Sequence, residues 1–349
     1  MRSPIRALAA FTFALALSVA NAQSIVEHQA PCLSDPGGNL FLRLNADGAK
    51  LLINRSPTAE AEELVMLPRD GVTEEVWLRR SGRSIYDRFA VSGDGTKIAF
   101  AGDGSEVFVV TRAGGTPQSI ANVAPDGDIR QLVLSQDGGL AAFTASRFRE
   151  NGELVRVRSN LYIAATDGSH LWKITAAPVF QKFIPFALSG DGTTVVWVDD
   201  PALGPWIAGT EGQNAMRLPA APTGQRIQNV FCNTNAAKVY YQTVAEDGVR
   251  IQEVDRGTSA MAVRCSAAHG FFELSSDASK IHLCQTDSAQ ARCGSWSMWN
   301  GTSFTKHVTL VMPRHCGSWA RSSDGETLVW RNSNANGQMA TFVWRLTAP

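Results

Sequence analysis

The sequence predicts an all-β chain built as a seven-bladed β-propeller, with a six-bladed ring as the alternative. Three observations lead there. First, one short signature recurs seven times: LNADGAKLLI (Leu44–Ile53), VSGDGTKIAF (Val91–Phe100), LSQDGGLAAF (Leu134–Phe143), LSGDGTTVVW (Leu188–Trp197), CNTNAAKVYY (Cys232–Tyr241), LSSDASKIHL (Leu274–Leu283) and RSSDGETLVW (Arg321–Trp330). Second, its anchors Asp47, Asp94, Asp137, Asp191, Asn235, Asp277 and Asp324 lie 47, 43, 54, 44, 42 and 47 residues apart. A period of about 40–50 residues is that of propeller blades with four short strands each. Third, no Pro/Ser-rich linker divides the chain after residue 22. Residues 23–349 are therefore read as one domain, because propellers grow by adding blades.

Each element of the repeat has a physical reason. Asp or Asn followed by Gly supplies the φ > 0 conformations of a tight turn. The runs after the turn, such as KIAF and TVVW, favour the β-branched and aromatic residues of strands. In the second blade the four strands are expected at Asp87–Val91, Lys97–Ala101, Glu106–Thr111 and Gln118–Asn122. The third strand recurs at Asn160–Thr166, Pro205–Thr210, Val249–Val254, Ser295–Asn300 and Ala340–Leu346. The last blade ends after this third strand. The apolar segment Ser24–His28 is expected to supply its outer strand and close the ring, which removes exposed sheet edges.

The signature resembles the WD40-like (PD40) repeat of TolB-type propellers, whose core is hydrophobic-Ser-x-Asp-Gly followed by two variable residues and an apolar run. Val91–Phe100, Leu188–Trp197 and Arg321–Trp330 match it well, and Asn235-Ala236 departs from it. The resemblance implies the propeller alone. The N-terminal α/β domain of TolB has no room before the first repeat, and the fold hosts unrelated activities. A sialidase-type Asp box is excluded by spacing, because Gly325 follows Asp324 directly.

Ahead of the repeats, Arg2 and Arg6 precede an apolar run, Ala7–Ala20, and the small-residue site Ala20-Asn21-Ala22. This is the pattern of a cleavable export signal, residues 1–22, with a cut after Ala22 and a periplasmic or secreted product. The chain carries 32 basic and 32 acidic residues. That balance argues against a nucleic-acid partner, and no stretch is apolar enough for a membrane span. Six cysteines suit an oxidising compartment and allow 15 pairings. Cys284 and Cys293 flank a short turn between two expected strands, so a hairpin would set them opposite each other or nearly so. A disulfide is expected there, with Cys32, Cys232, Cys265 and Cys316 unassigned.

No catalytic motif stands out. G-x-S-x-G, H-E-x-x-H and P-loop patterns are absent, and the recurrent aspartates are read as turn residues. Eight positions before each anchor, where the first strand of a blade begins, lie Tyr86, Ile129, Phe183, Ile227, His269 and Cys316. Beside them are Asp87, Arg88, Asp128, Arg130, Lys182, Arg226, Arg314 and His315. This mixed-charge ring is a candidate binding face at the channel mouth, or an ordinary solvated rim. The TolB resemblance adds that related lyases acting on pectin fragments use histidines and a metal on this face. Here only His269 and His315 converge, with no paired carboxylate, so neither a metal nor a cofactor is expected.

The longest gap, from Asp137 to Asp191, holds an insertion at Arg147–Asn160 with Arg147, Arg149, Arg156 and Arg158. It is expected to be a long loop on the same face, and insertions in repeat proteins gather on the binding face. The functional expectation is an exported, non-catalytic propeller holding a protein or peptide partner. The alternatives are a lyase or hydrolase acting on a sugar polymer or lactone, and a structural component of the cell envelope.

Overall fold

The computed structural model describes residues 25–29, 41–58, 61–68, 73–81, 88–102, 104–150, 153–176, 178–179, 184–287, 292–299, 304–309, 319–333 and 339–346. Within them every regular element but one short 3₁₀ turn is a strand, and the strands form seven four-stranded antiparallel sheets. Strand β1 (Ile25–Gln29) comes first. The first sheet joins β2 (Phe41–Leu44), β3 (Lys50–Thr58), β4 (Ala61–Pro68) and β5 (Glu75–Ser81). The second joins β6 (Phe89–Val91), β7 (Ile98–Ala101), β8 (Glu106–Val110) and β9 (Gln118–Asn122). The third joins β10 (Asp128–Leu134), β11 (Leu140–Glu150), β12 (Glu153–Ala165) and β13 (Leu171–Lys173).

The fourth sheet holds β14 (Phe186–Leu188), β15 (Thr194–Trp197), β16 (Trp206–Gly209) and β17 (Met216–Arg217). The fifth holds β18 (Arg226–Cys232), β19 (Lys238–Ala245), β20 (Gly248–Asp255) and β21 (Met261–Ala267). The sixth holds β22 (Phe271–Leu274), β23 (Ile281–Asp287), β24 (Arg292–Trp299) and β25 (Phe304–Thr309). The seventh is made of β26 (Trp319–Arg321), β27 (Thr327–Ser333), β28 (Met339–Leu346) and β1, in the order β1-β28-β27-β26. Here β1 pairs antiparallel with β28, Ile25 facing Leu346 and Gln29 facing Phe342.

The repeated signature is a self-contained hydrogen-bonded turn. Ser135 Oγ donates to Asp137 Oδ1 at 2.6 Å, the same oxygen accepts the Gly139 N–H at 2.9 Å, and Ser135 Oγ accepts the Leu140 N–H at 2.9 Å. The set recurs around Ser92, Ser189, Ser275 and Ser322. In the first and fifth sheets Asn45 and Asn233 stand at the serine position, and their Oδ1 atoms accept the Lys50 and Lys238 N–H groups, each at 2.9 Å. Gly138 adopts φ +67, where a Cβ would also meet Ser92 of the preceding turn at 2.9 Å. Ala236 and Ala278 hold the equivalent left-handed conformation, φ 51 and 57, so the turn survives without glycine.

Neighbouring turns are tied together. Ala46 N donates to Gly93 O (2.9 Å), Asp191 N to Thr234 O (2.9 Å), Ser276 N to Ser323 O (2.6 Å) and Asp324 N to Ala46 O (3.1 Å). The last contact links the seventh sheet to the first. Lysines add a second tie: Lys50 Nζ donates to Gly95 O at 3.1 Å and Lys97 Nζ to Gly138 O at 2.9 Å.

The core lies between successive sheets. Ala99, Val107 and Ile129 pack with Phe143 and Tyr162, bridging the second and third. Val196 and Ile207 pack with Val230, Val239 and Tyr241, bridging the fourth and fifth. Each fully buried large side chain contributes about 1.5–3 kcal/mol, so the sheets hold one another in place. Val329 joins Leu42, Ile53 and Val65, which brings the seventh sheet against the first.

Candidate functional site

The first strands of six sheets, β2, β10, β14, β18, β22 and β26, line a cavity of about 710 Å³. Its wall mixes apolar side chains, among them Leu42, Leu132, Phe186, Leu188 and Val230, with polar ones. Four charged side chains stand out against it: Arg43, Arg130, Glu273 and Arg321.

Glu273 Oε2 lies 3.9 Å from a terminal guanidinium nitrogen of Arg321, and the two side chains are 28% and 13% exposed. Water can reach Glu273 through the cavity, and protein surrounds the rest of it. Burial therefore pushes its carboxyl above the usual range, while Arg321 and then Arg43 pull it back. Burial pushes Arg321 the other way, below the usual guanidinium value, and Glu273 opposes that most strongly. Arg321 stays charged nonetheless. It donates to Ser322 O at 2.6 Å and to Leu274 O, and its buried Nε has no hydrogen-bond partner. Arg43 donates to Leu42 O at 2.9 Å, and its guanidinium sits 5.2 Å from the centre of the Phe89 ring. Arg130 is lowered by burial and pairs with Asp128 at 3.1 Å.

A wall of this kind suits an anionic ligand. Guanidinium groups pair with carboxylates in two-pronged fashion, and a carboxyl whose pKa burial raises is a candidate for proton transfer.

The ring expected at the strand starts is only partly involved. Arg130 lines the cavity. Arg88 donates from the second sheet to Ile129 O at 3.3 Å, which ties blades rather than opening a site. Asp128 serves Arg130, and Arg226 and His269 are exposed. Asp87, Lys182 and His315 fall outside the described residues. Among the described residues no three His, Cys, Asp or Glu side chains converge.

The insertion at Arg147–Asn160 is not a loop. It lengthens β11 and β12 into one hairpin, with Arg147 opposite Arg158 and Glu150 opposite Glu153. Arg149 and Arg156 lie on these strands. The run Val155-Arg156-Val157-Arg158 alternates as a strand does, so backbone pairing prevails over its charge. The hairpin does not border that cavity.

Sequence reasoning missed Arg43, Glu273 and Arg321. Four residues before the anchor, where Arg43 and Glu273 stand, other repeats carry Ala90, Val133, Ala187 and Phe231. A charge at a position otherwise small or apolar was the available signal.

The disulfide expected between Cys284 and Cys293 would have to span a diagonal of the β23–β24 pair. The register sets Trp296 opposite Cys284 and Cys293 opposite Thr286, so Cys284 and Cys293 are not directly facing. Cys232 and Cys265 are free thiols, both pushed up to about 12 by burial. Among the described residues no helix is long and apolar enough to cross a membrane.

No family model and no curated protein matches this chain. Its fold is similar to those of several solved structures. An oligogalacturonate lyase in complex with manganese superposes with a TM-score of 0.71 at 14% identity, covering 93% of this chain and 96% of that one. The Cps50 (Swd1) β-propeller domain of Myceliophteria thermophila gives 0.59 at 11% identity, covering 92% and 100%. A puromycin hydrolase mutant gives 0.60 at 16% identity, covering 87% and 53%. At these identities the likeness establishes an all-β, propeller-like fold. It also corrects the expectation of a non-catalytic binding propeller. Two of these three structures are enzymes, and the lyase matches over nearly its whole length, which counts against that expectation.

Proposed function

We propose that this chain is an enzyme acting on an acidic sugar polymer by elimination, with the wall formed by Arg43, Arg130, Glu273 and Arg321 as its reaction site. The observation that carries this reading is the pairing of Glu273 with Arg321 inside the cavity. Arginine holds the substrate carboxylate and spreads its charge, which acidifies the carbon–hydrogen bond beside it. Glu273 takes that proton, the carbon–oxygen bond one carbon away breaks, and a carbon–carbon double bond forms. The departing sugar oxygen then takes a proton. Glycoside hydrolysis is the weaker fit, because it ordinarily needs two carboxylates about 5–9.5 Å apart. Among the described lining residues Glu273 is the one carboxylate. Full-length similarity to an oligogalacturonate lyase supports a uronate as the acidic unit.

The scaffold reading goes with it. The seven sheets act as blades of one TolB-like ring, and β1 completes the seventh. Residues 1–22 direct export and are removed, and Cys284 pairs with Cys293 diagonally across β23 and β24. Peptide mapping without reduction tests that pair. Recovery of Cys284 linked to Cys32 or Cys316 instead would refute it.

The functional test is incubation of the purified chain with oligogalacturonate, following the ultraviolet absorbance of an unsaturated product. Activity lost by at least a hundredfold in both Glu273→Gln and Arg321→Met is expected. A wild-type chain that neither binds nor cleaves acidic oligosaccharides would overturn the reading.

A further inference from the structure

A second, smaller cavity of about 270 Å³ adjoins the first and shares Gln131, Asn229 and Glu273 with it. Its other lining residues are Pro185, Gln228, Gln242 and Phe272. Four of its seven residues carry side-chain amides, and the one charge is Glu273, at the shared edge.

The hydrogen bonds fix which amide atoms remain. The Phe272 N–H can only donate, and it donates to Gln242 Oε1 at 3.1 Å. That turns Gln242 Nε2 toward Gln228 Oε1, to which it donates at 2.7 Å. Gln228 therefore keeps its Nε2 donors. Asn229 Oδ1 accepts the Val230 N–H at 2.9 Å, so Asn229 keeps its Nδ2 donors. Gln131 Oε1 is buried and receives no hydrogen bond. A buried acceptor without a donor costs stability, and a donor from water or from a ligand relieves that cost. The cavity thus offers amide donors, with the orphan Gln131 Oε1 just beneath its wall and Pro185 and Phe272 as apolar surface. Hydroxyl groups, which donate and accept at once, match that set. A carboxylate, which only accepts, cannot satisfy Gln131.

We propose that this cavity is a neutral subsite for one sugar ring, in which a ring hydroxyl donates to Gln131 Oε1 and others accept from Gln228 and Asn229. The proposal rests on the acidic-sugar reading for the neighbouring cavity. It places the carboxylate of one unit beside Arg321 and the hydroxyl face of the next beside Gln131, with Glu273 between them.

The test uses Gln131→Met, which keeps the side-chain length and removes the acceptor, with Arg321→Met as the companion. Calorimetric titration of the full chain is run with two probes, galactose and a galacturonate trimer. Galactose should bind wild type and Arg321→Met alike and bind Gln131→Met roughly 3–10-fold more weakly, the loss of one net hydrogen bond. Without sugar, Gln131→Met should melt no lower than wild type, which separates lost recognition from lost fold. Equal galactose affinity for wild type and Gln131→Met would overturn the subsite, as would failure of galactose to bind wild type. If the trimer still binds through Arg321 in that case, the acidic-sugar reading stands. If galactose binds through Gln131 and the trimer does not bind at all, the subsite stands and the acidic reading falls.

Discussion

Glu273 and Arg321 meet across two sheets, carboxylate to guanidinium at 3.9 Å, and each shifts the other's charge. Burial raises Glu273, and Arg321 is the strongest force opposing the rise. Arg321→Met should move the Glu273 titration to higher pH. The check is the side-chain carbon resonance of labelled glutamate, assigned with Glu273→Gln, and an unmoved midpoint would contradict the coupling. The sign for stability follows from linkage. A carboxyl raised in the folded state contributes stability below its ordinary pKa of about 4.3 and loses it as pH rises through the raised value. The melting temperature of Glu273→Gln relative to wild type should therefore increase as pH rises above about 4.

The Ser135–Asp137 contact predicts a position-specific cost. Ser135 Oγ both donates to Asp137 and accepts the Leu140 N–H, and Ser135 is 2% exposed. Ser135→Ala should destabilise by about 1–2 kcal/mol in urea unfolding at neutral pH, since a buried N–H loses its partner. The Ser135 hydrogen bond, then the Gly139 N–H, lowers the Asp137 pKa. A lowered carboxylate contributes stability above its ordinary pKa of about 3.9 and loses it as pH falls. The gap between variant and wild type should narrow in acid, and a constant gap would refute this account.

Lys97 predicts a salt-insensitive tie between blades. Its Nζ donates to Gly138 O at 2.9 Å and to Thr166 Oγ1 at 3.1 Å, both uncharged. Lys97→Met should lower stability by about 1 kcal/mol. Both direct partners are neutral and the pull of Lys97 on Asp137 is the smallest of the causes acting there, so added salt should remove only a small part of that difference. A difference that vanishes at high salt would show an ion pair instead.

Strand β1 predicts a sharp effect of truncation. It caps β28 through the full length Ile25–Gln29. Removing residues 23–29 leaves the β28 edge without its partner, a template for pairing with another chain. The truncated protein should melt lower and show concentration-dependent association by light scattering. Wild-type melting and a monomeric profile would sink the closure.

The sequence by itself determined whatever is decided within a few residues. The Ser135-Gln136-Asp137-Gly138 turn closes through bonds spanning two to five positions, so its chemistry is written in order along the chain. The strand predicted at Gln118–Asn122 appears with the same bounds, and the third strand predicted at Glu106–Thr111 ends one residue earlier. The departure from Asp-Gly at Asn235-Ala236 still yields a turn, because Asn235 Oδ1 accepts the Ala237 N–H at 3.1 Å and Ala236 takes the left-handed conformation. Tertiary structure decided the site. Arg43 stands 230 residues before Glu273 and 278 before Arg321, and no local pattern joins them. Only the succession of sheets brings these side chains to one cavity. Their charges are tuned there by burial, which belongs to the enclosing fold and not to any segment of the chain.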